Sequence, residues 1–568
     1  MSRLMTPEEE ERFYRDTAGI AFPKLTDRQL AELEAIGERR IIRAGEVVIE
    51  AGQREYPMAV VLSGRLEAYE SCEGEEQILA EPGPRDFVAE ISILHGTSSI
   101  ANIRGGDEET EVILIPADKL RRALADLPGV GETLVRAFMM RRERLLYDGN
   151  FAGLRVLAHP GCRCGHLIDD FLDKNHIPHS LIDSTGENGA ALVARYSLPD
   201  EDLPAIIVGD GTVHRNPSIM QTAFIAGLVR PLGFDGETEK LCDLAIVGAG
   251  PAGLAAAVNG ASEGLKTVVL ESFAPGGQAG SSSLIENFFG HPTGISGGEL
   301  TNRAQLQAHR FGAKFSTPSK ALSLAETEGE YAAAITLEGC GTVLRAKTVI
   351  ISTGAQYNRI DAEGREKFEG MGVYYAATAM ESKFCKDATV IVVGAGNSAG
   401  QAAMFLSEIA SRVLLIVRGT DLTKSMSSYL STRVEAKDNI EIHYRTEIRK
   451  MTGGERLHAV EMENTLTNER QAVETVAVFS MIGANPCTSW LPKEIRLDER
   501  GFVKTGQAVA DAPAWTEAGR PPHPFETSWP GVFAAGDVRS GSVKRCSAAV
   551  GEGSMAIENV HQLLGTYS

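Results

Sequence analysis

Two short glycine-rich segments constrain the architecture of this chain more tightly than anything else in it. The first is Gly248-Ala249-Gly250-Pro251-Ala252-Gly253, preceded by the apolar run Leu244-Ala245-Ile246-Val247. The second is Gly394-Ala395-Gly396-Asn397-Ser398-Ala399, preceded by Val390-Ile391-Val392-Val393. Each predicts a strand, a tight turn and the start of a helix, an arrangement that sets a pyrophosphate against helix N–H groups. Glycine lets the backbone approach the phosphates, and Ala399 in the last slot still permits close helix packing. The two segments differ in charge at the end of the following strand, where the first has Glu271 and the second Arg418. A carboxylate there accepts a hydrogen bond from a ribose hydroxyl, whereas an arginine pairs with a 2′-phosphate. The first segment therefore predicts an FAD site and the second an NADPH site. Together they predict a flavoprotein that accepts hydride.

A length of 568 residues predicts three or four domains. The net charge of −20 argues against nucleic acid and anionic membranes as partners, since both demand a basic face. The opening MSRLMTPEEEER lacks the apolar core of a signal peptide, and no apolar run is long enough to span a bilayer. A cytoplasmic protein is expected. Eight cysteines in this length do not suggest a disulfide framework, so the question becomes which of them are redox-active.

The segment ahead of the first glycine motif divides in two. Residues 20–150 hold short strands joined by glycine turns, at 40–49, 58–63, 65–69, 77–80, 99–103 and 111–115, followed by an amphipathic helical stretch at 117–146. That spacing predicts a β-roll with a helix behind it. Residues 152–232 alternate strand and helix over the length of a minimal α/β domain, and 233–240 reads as a linker.

From residue 241 onward the chain resembles the low-molecular-weight thioredoxin reductase family. The motifs that carry the resemblance are Gly276-Gly277-Gln278, Ile285-Glu286-Asn287, Thr353-Gly354, Gly531-Val-Phe-Ala-Ala-Gly536-Asp537 and Lys544-Arg545-Cys546-Ser547 with Gly551-Glu-Gly553. The resemblance implies two interleaved Rossmann-like domains, with FAD on 241–356 plus 485–568 and NADPH on 357–484. FAD would be held by Gly248, Gly250, Pro251, Ala252, Gly253, Glu271, Gly277, Gln278, Asn287, Thr353, Gly354, Gly536, Asp537, Arg545, Cys546 and Ser547. NADPH would be held by Gly394, Gly396, Asn397, Ser398, Ala399 and Arg418. The fold class expected for the whole chain is multidomain α/β, with a β-roll and a small α/β unit ahead of the two dinucleotide domains. A homodimer, usual in the family, is an expectation.

The departures from the family are equally informative. The family's Cys-x-x-Cys pair falls here on Ala376 and Ala379, within Tyr375-Ala-Ala-Thr-Ala-Met380, and alanine has no redox chemistry. The usual relay from flavin to that dithiol is therefore absent. Cys385 and Cys546 read first as packed thiols. The second arginine of the family's 2′-phosphate site is replaced by Gly419, with Lys424 and Arg433 as candidate substitutes.

Residues 152–232 resemble a thioredoxin or glutaredoxin fold. A strand leads into Pro160-Gly161-Cys162-Arg163-Cys164-Gly165 at a helix start, and Leu203-Pro204 stands where that fold has a cis-proline. A helix N-terminus favours a thiolate, which makes Cys162 the candidate nucleophile and Cys164 its partner. The second cysteine is at 164, however, and the usual slot holds Gly165. A Cys-x-Cys disulfide closes a tighter ring and would be more oxidising. An inert adaptor is the competing reading, and a metal cluster of His159, Cys162, Cys164 and His166 is a third. No metal is assigned.

Residues 20–150 resemble the cyclic-nucleotide-binding domain family. Its phosphate cassette is degenerate here: Phe87-Val-Ala-Glu90-Ile-Ser-Ile-Leu94, then Ser98-Ser99-Ile-Ala101, with alanine in the glycine slot and Ser99 in the arginine slot. A buried cyclic phosphate without its arginine is uncompensated, which argues against nucleotide binding unless Arg104 reaches in. The expected function is hydride transfer from NADPH to FAD, then electron transfer to a disulfide protein through Cys162 and Cys164. A non-thiol acceptor (quinone, oxygen or an electron carrier) and a redox or effector sensor are the alternatives.

Overall fold

The computed structural model describes residues 7–72, 75–89, 92–95, 98–147, 153–209, 211–229, 241–282, 284–327, 333–338, 343–375, 377, 385–454 and 456–565. The chain forms two compact units. One comprises Met1–Gly233, Ala261–Ala274 and Gln305–Ser319; the other comprises Phe234–Gly260, Pro275–Ala304 and Lys320–Ser568.

The first unit opens with two helices, Pro7–Ala21 and Asp27–Glu34, ahead of the roll. The second begins with a capping box between Thr26 and Gln29. The roll pairs Glu38–Ile42, Thr110–Ile115, Met58–Ser63 and Phe87–Val88 in one antiparallel sheet. Val47–Ile49, Asn102–Gly105, Leu66–Cys72 and Glu75–Ala80 make the other. Alternating residues of both sheets bury a core that includes Met58, Val60 and Phe87, closed by Leu120, Leu134 and Phe138 from the helices behind. Two expectations are corrected. The strand expected at 40–49 is two strands in different sheets, because Gly45 turns the chain at φ 71° and the Glu46 carboxylate accepts the Arg43 N–H. The helical stretch 117–146 is two helices, Ala117–Asp126 and Pro128–Tyr147. Pro128 disfavours a helical Leu127 and has no N–H to continue the ladder.

The small α/β module follows in the same unit. Its sheet runs His179–Asp183, Leu154–Ala158, Ala205–Ile207, Val213–Arg215. The first two strands are parallel and the other two antiparallel to their neighbours. Helices Arg163–Lys174, Glu187–Tyr196 and Ile219–Ile225 complete it. Val156, Ile168, Phe171, Leu172 and Ile206 form its core. The Leu203-Pro204 peptide is cis. The roll and this module are tied: Arg142, on the long helix of the roll, donates to Ser92 Oγ at 2.8 Å and to the His176 carbonyl at 2.7 Å. Thr267–Leu270 and Lys314–Ser316, a parallel pair, belong to this unit too.

In the second unit Leu241–Val247 runs parallel to Val343–Ile351, which also pairs in parallel with Val532–Ala534 and antiparallel with Ala333–Leu337. Further on, a five-stranded parallel sheet has the order Val373–Tyr374, Ala477–Ser480, Thr389–Val393, Arg412–Val417, Ile440–Tyr444. Its strands bury apolar residues on both faces, one against helices Asn397–Ser407 and Ser428–Glu435 and the other against the antiparallel strands Thr446–Gly453, Leu457–Asn464 and Arg470–Glu474. Ala355–Tyr357 and Ala484–Pro486, antiparallel to each other, are the two strands that cross between the sheets. Among the described residues no helix is long and apolar enough to cross a membrane.

Candidate dinucleotide and dithiol sites

Strand Leu241–Val247 ends in Gly248, and helix Pro251–Ser262 begins three residues later. The turn between them has no room for side chains on its protein side. Gly248 has φ 105°, and a Cβ there would lie 2.4 Å from the Ser352 carbonyl oxygen. A Cβ on Gly253 would lie 1.9 Å from the Gly248 carbonyl oxygen. Gly250 faces the other way, with nothing within 4 Å of its Cβ position. That is a backbone cradle open on one side only, and Pro251 at the head of the helix leaves the first-turn N–H groups clear. Ser352 clamps the cradle by donating to the Gly248 carbonyl at 2.8 Å. Nothing in the sequence singles out this serine.

The other flavin motifs gather around the same turn. Gly276 donates to the Ala249 carbonyl at 2.8 Å, and a Cβ on Gly277 would lie 3.1 Å from Gly250 Cα. Gln278 donates to the Ala355 carbonyl, while Asn287 is exposed. Gly354 is open, and Thr353 beside it donates to the Cys487 carbonyl at 2.8 Å. Gly536 and Gly553 both pack on Ala252, at 2.7 Å from its Cβ and 2.1 Å from its carbonyl oxygen if either carried a Cβ. Helix Cys546–Leu564 thereby approaches the start of Pro251–Ser262 at close range, and Gly536, next to Asp537, packs on the same residue. Glu552 holds the Gly531–Asp537 motif by accepting the Gly536 N–H at 2.8 Å and an Arg539 N–H at 2.7 Å. Burial raises the Glu552 pKa, but Arg539 and the Gly536 N–H outweigh it and leave the group below its ordinary value. Asp537 is pushed the other way, by burial that Lys544 only partly offsets. Arg545 caps the long helix, with Cys546 and Ser547 in its first turn; burial pushes the Cys546 thiol up to about 11. In the other unit Glu271 follows Thr267–Leu270, and its carboxylate accepts the Phe273 N–H at 3.1 Å.

The second glycine turn repeats the design. Gly394 has φ 145°, and a Cβ there would lie 2.6 Å from the Met481 carbonyl oxygen and 3.1 Å from Ala399 Cβ. Gly396 meets only the Ser425 carbonyl oxygen at 3.9 Å, so the cradle is again open. Asn397 starts helix Asn397–Ser407 and accepts the Ser427 N–H at 2.7 Å. Ser398 in the same turn is bonded to Tyr357 on the crossing strand. Arg418 is exposed at the end of Arg412–Val417. The two expected substitutes for the missing arginine are engaged elsewhere. Lys424 faces the Asp421 carboxylate at 3.6 Å, and Arg433 is held by both oxygens of Glu286 at 2.7 Å. Ala376 and Ala379 lie outside the described residues.

In the α/β module Cys162 is the N-cap of helix Arg163–Lys174, and its sulfur accepts the Gly165 N–H at 3.4 Å. Cys164 is exposed in the first turn, and both thiols are free. Gly165 could not be a cysteine without rearrangement, because a Cβ there would lie 2.5 Å from Ala158 Cβ. The metal reading is not supported. His159 directs its two ring nitrogens to Ser184 Oγ at 2.8 Å and Asp200 at 3.3 Å, and the described residues contain no metal-binding group of three or more such side chains. In the roll, Arg104 does not reach inward. It pairs with Glu67 at 2.8 Å and Glu76 at 2.7 Å and lies over the Tyr69 ring. Ser99 donates to the Ala101 carbonyl, and Glu90 lies outside the described residues.

Residues 242–553 match the family model for pyridine nucleotide-disulphide oxidoreductases. The chain belongs to that family. Residues 39–126 match the cyclic nucleotide-binding domain model. Among curated relatives, the thioredoxin reductase of Streptomyces coelicolor is 31% identical over 324 residues, which is 57% of this chain and 94% of the relative. A 34.2 kDa protein of the rubredoxin operon of Clostridium pasteurianum is 30% identical over 327 residues, 58% of this chain and 98% of the relative. The crystal structure of T. acidophilum thioredoxin reductase is similar at a TM-score of 0.51 and 28% identity, covering 57% of this chain and 99% of that one. This family member is a thioredoxin-reductase-like oxidoreductase, and FAD and NADPH are the cofactors of its relatives. The two open glycine cradles fit a pyrophosphate each.

Proposed function

We propose that the chain is an NADPH- and FAD-dependent disulfide reductase whose dithiol lies in the fused α/β module, at Cys162 and Cys164. The observation that carries this reading is the environment of Cys162: a helix N-cap whose sulfur accepts a backbone N–H, with a second free thiol two residues on. Further support comes from the module's topology. With strands ranked by chain order its sheet runs second, first, third, fourth, and a cis-proline precedes the third strand, which is the arrangement of thioredoxin-like folds. The alanines in the usual Cys-x-x-Cys slots leave the family chemistry in need of a dithiol from elsewhere in the chain.

When bound, the cofactors would supply two electrons, taken from NADPH as hydride. The protein's part is to present them without water. The second cradle would hold the nucleotide by its pyrophosphate, and the first cradle with Asp537 would hold the flavin, while Glu552 keeps the Gly536 turn in place. Two electrons and two protons convert a Cys162–Cys164 disulfide into two thiols. The Cys162 thiolate then attacks one sulfur of an external protein disulfide and displaces the other as a thiolate, which takes a proton. Cys164 attacks the mixed disulfide, releasing the second substrate thiol and restoring the Cys162–Cys164 bond. Replacing Cys162 by serine tests the reading. Disulfide reduction is expected to vanish while NADPH still bleaches the flavin, and unchanged turnover contradicts it.

The same alanines favour a second reading, in which electrons leave the flavin for a non-thiol acceptor. NADPH oxidation that persists in the Cys162→Ser protein with a quinone, but never with a disulfide in the unmodified one, selects that alternative.

A further inference from the structure

The nucleotide unit has lost one arginine from the 2′-phosphate position and, in the fold, gains another from a different strand. Arg412–Val417 and Ile440–Tyr444 are parallel neighbours, registered so that Val417 lies opposite Tyr444. One residue beyond that pair stand Arg418 and Arg445, at the carboxyl edge of the sheet, where open α/β sheets bind their ligands. Neighbouring strands are about 4.8 Å apart, so the two arginines arise side by side.

Arg445 is anchored against the gap left by the missing arginine. Its N–H donates to the Gly419 carbonyl at 3.0 Å. Its own carbonyl accepts from the Thr465 N–H at 2.7 Å and from Thr465 Oγ1 at 3.0 Å. Gly419 leaves open space, since a Cβ there would meet nothing nearer than 3.9 Å. Arg445 holds φ 52°, a left-handed conformation that glycine or asparagine adopts more readily. A long cationic residue kept there at a conformational cost points to a role for its side chain. Arg418 and Arg445 are both exposed, and among the described residues neither guanidinium has an ion-pair partner. The other cations nearby are engaged, Lys424 by Asp421 and Arg433 by Glu286. The Asp421 carboxylate is further capped by Thr423 at 2.8 Å.

We infer that Arg445 is a specificity-determining residue that grips the 2′-phosphate of NADPH together with Arg418. The inference rests on the NADPH reading of this cradle. It is tested by calorimetric titration of the full-length holoprotein with 2′,5′-ADP and, separately, with 5′-AMP, which lacks the 2′-phosphate. The unmodified protein is expected to bind 2′,5′-ADP more tightly. Arg445→Asn tolerates the left-handed turn, so it reports on the guanidinium rather than on the backbone. It is expected to weaken 2′,5′-ADP about tenfold and leave 5′-AMP within about twofold. Arg445→Lys is expected to recover part of the loss, and its salt dependence to follow the charge. An Arg445→Asn protein that discriminates as well as the unmodified one overturns the inference, as does an equal loss for both ligands. An unmodified protein with no preference for 2′,5′-ADP overturns the NADPH reading itself.

Discussion

Arg433 sets one guanidinium nitrogen 2.7 Å from both carboxylate oxygens of Glu286. The arginine comes from helix Ser428–Glu435 of the nucleotide domain, and the glutamate from the Ile285-Glu286-Asn287 motif of the flavin half. A side chain expected to hold a nucleotide phosphate is thus bound to a carboxylate across the two dinucleotide domains. Arg433→Ala should therefore leave the affinity for NADP within about twofold. The pair is half-exposed, so its loss should cost less than about 1 kcal/mol of stability. Calorimetry and a melting curve check both, and a tenfold weaker nucleotide would return Arg433 to the phosphate site.

Glu552 joins the Gly531–Asp537 motif to the long helix Cys546–Leu564. Glu552→Ala orphans the Gly536 N–H and leaves Arg539 without its partner, at a cost of about 2–4 kcal/mol. The flavin content of the purified protein should fall, read as flavin absorbance per polypeptide. The acid limb follows from the sign of the shift. The folded pKa of Glu552 lies below its ordinary 4.5, so its stabilisation is complete above that pH and is lost as pH falls through the folded value. The difference in melting temperature between the unmodified and Glu552→Ala proteins should be full at neutral pH and shrink as pH falls below the ordinary 4.5.

What could be read from the sequence, and what could not, divides by range of interaction. Both glycine cradles were legible because strand, turn and helix start are contiguous, although the carbonyls that crowd Gly248 and Gly394, those of Ser352 and Met481, come from far along the chain. The α/β module was legible as strand–helix alternation, although its short strand Val213–Arg215 carries too little pattern to be seen. Arg433 shows the opposite limit: sequence distance places it near Arg418, but Glu286, far away in the chain, pairs with its guanidinium, while Lys424 meets Asp421 in its own loop. Ser352 was invisible because it acts on a turn far away in the chain, and Glu552, though inside the Gly551-Glu-Gly553 motif, gave no sign in the sequence that it holds the Gly536 N–H.

The cysteines should separate by reactivity. At pH 8 a thiol pushed up to about 11 is only about one part in a thousand thiolate, so Cys546 should react slowly with iodoacetamide despite its place in a first helical turn. Cys242 and Cys385 are buried. Brief alkylation of the reduced protein followed by peptide mass analysis should label Cys164 and Cys162 first. Labelling of Cys546 at the same rate would mean that its surroundings are more open than this packing allows.

The roll should not respond to cyclic nucleotides. Arg104, the one cation near its degenerate cassette that the sequence offered, is neutralised by Glu67 and Glu76. Neither cyclic AMP nor cyclic GMP at about 1 mM should raise the melting temperature, because a ligand stabilises only in proportion to its binding of the folded state. A clear upward shift would show that the roll binds the phosphate by other groups.

The central claim is that electrons from NADPH arrive at Cys162 and Cys164. The direct measurement is an anaerobic titration of the oxidised protein with NADPH, quenched by alkylation at each point, with new thiols located by peptide mass. The account predicts two new thiols per chain, at Cys162 and Cys164, appearing alongside flavin bleaching and absent without NADPH. Full flavin bleaching with no new thiol at either position would contradict it and leave the α/β module without a redox role.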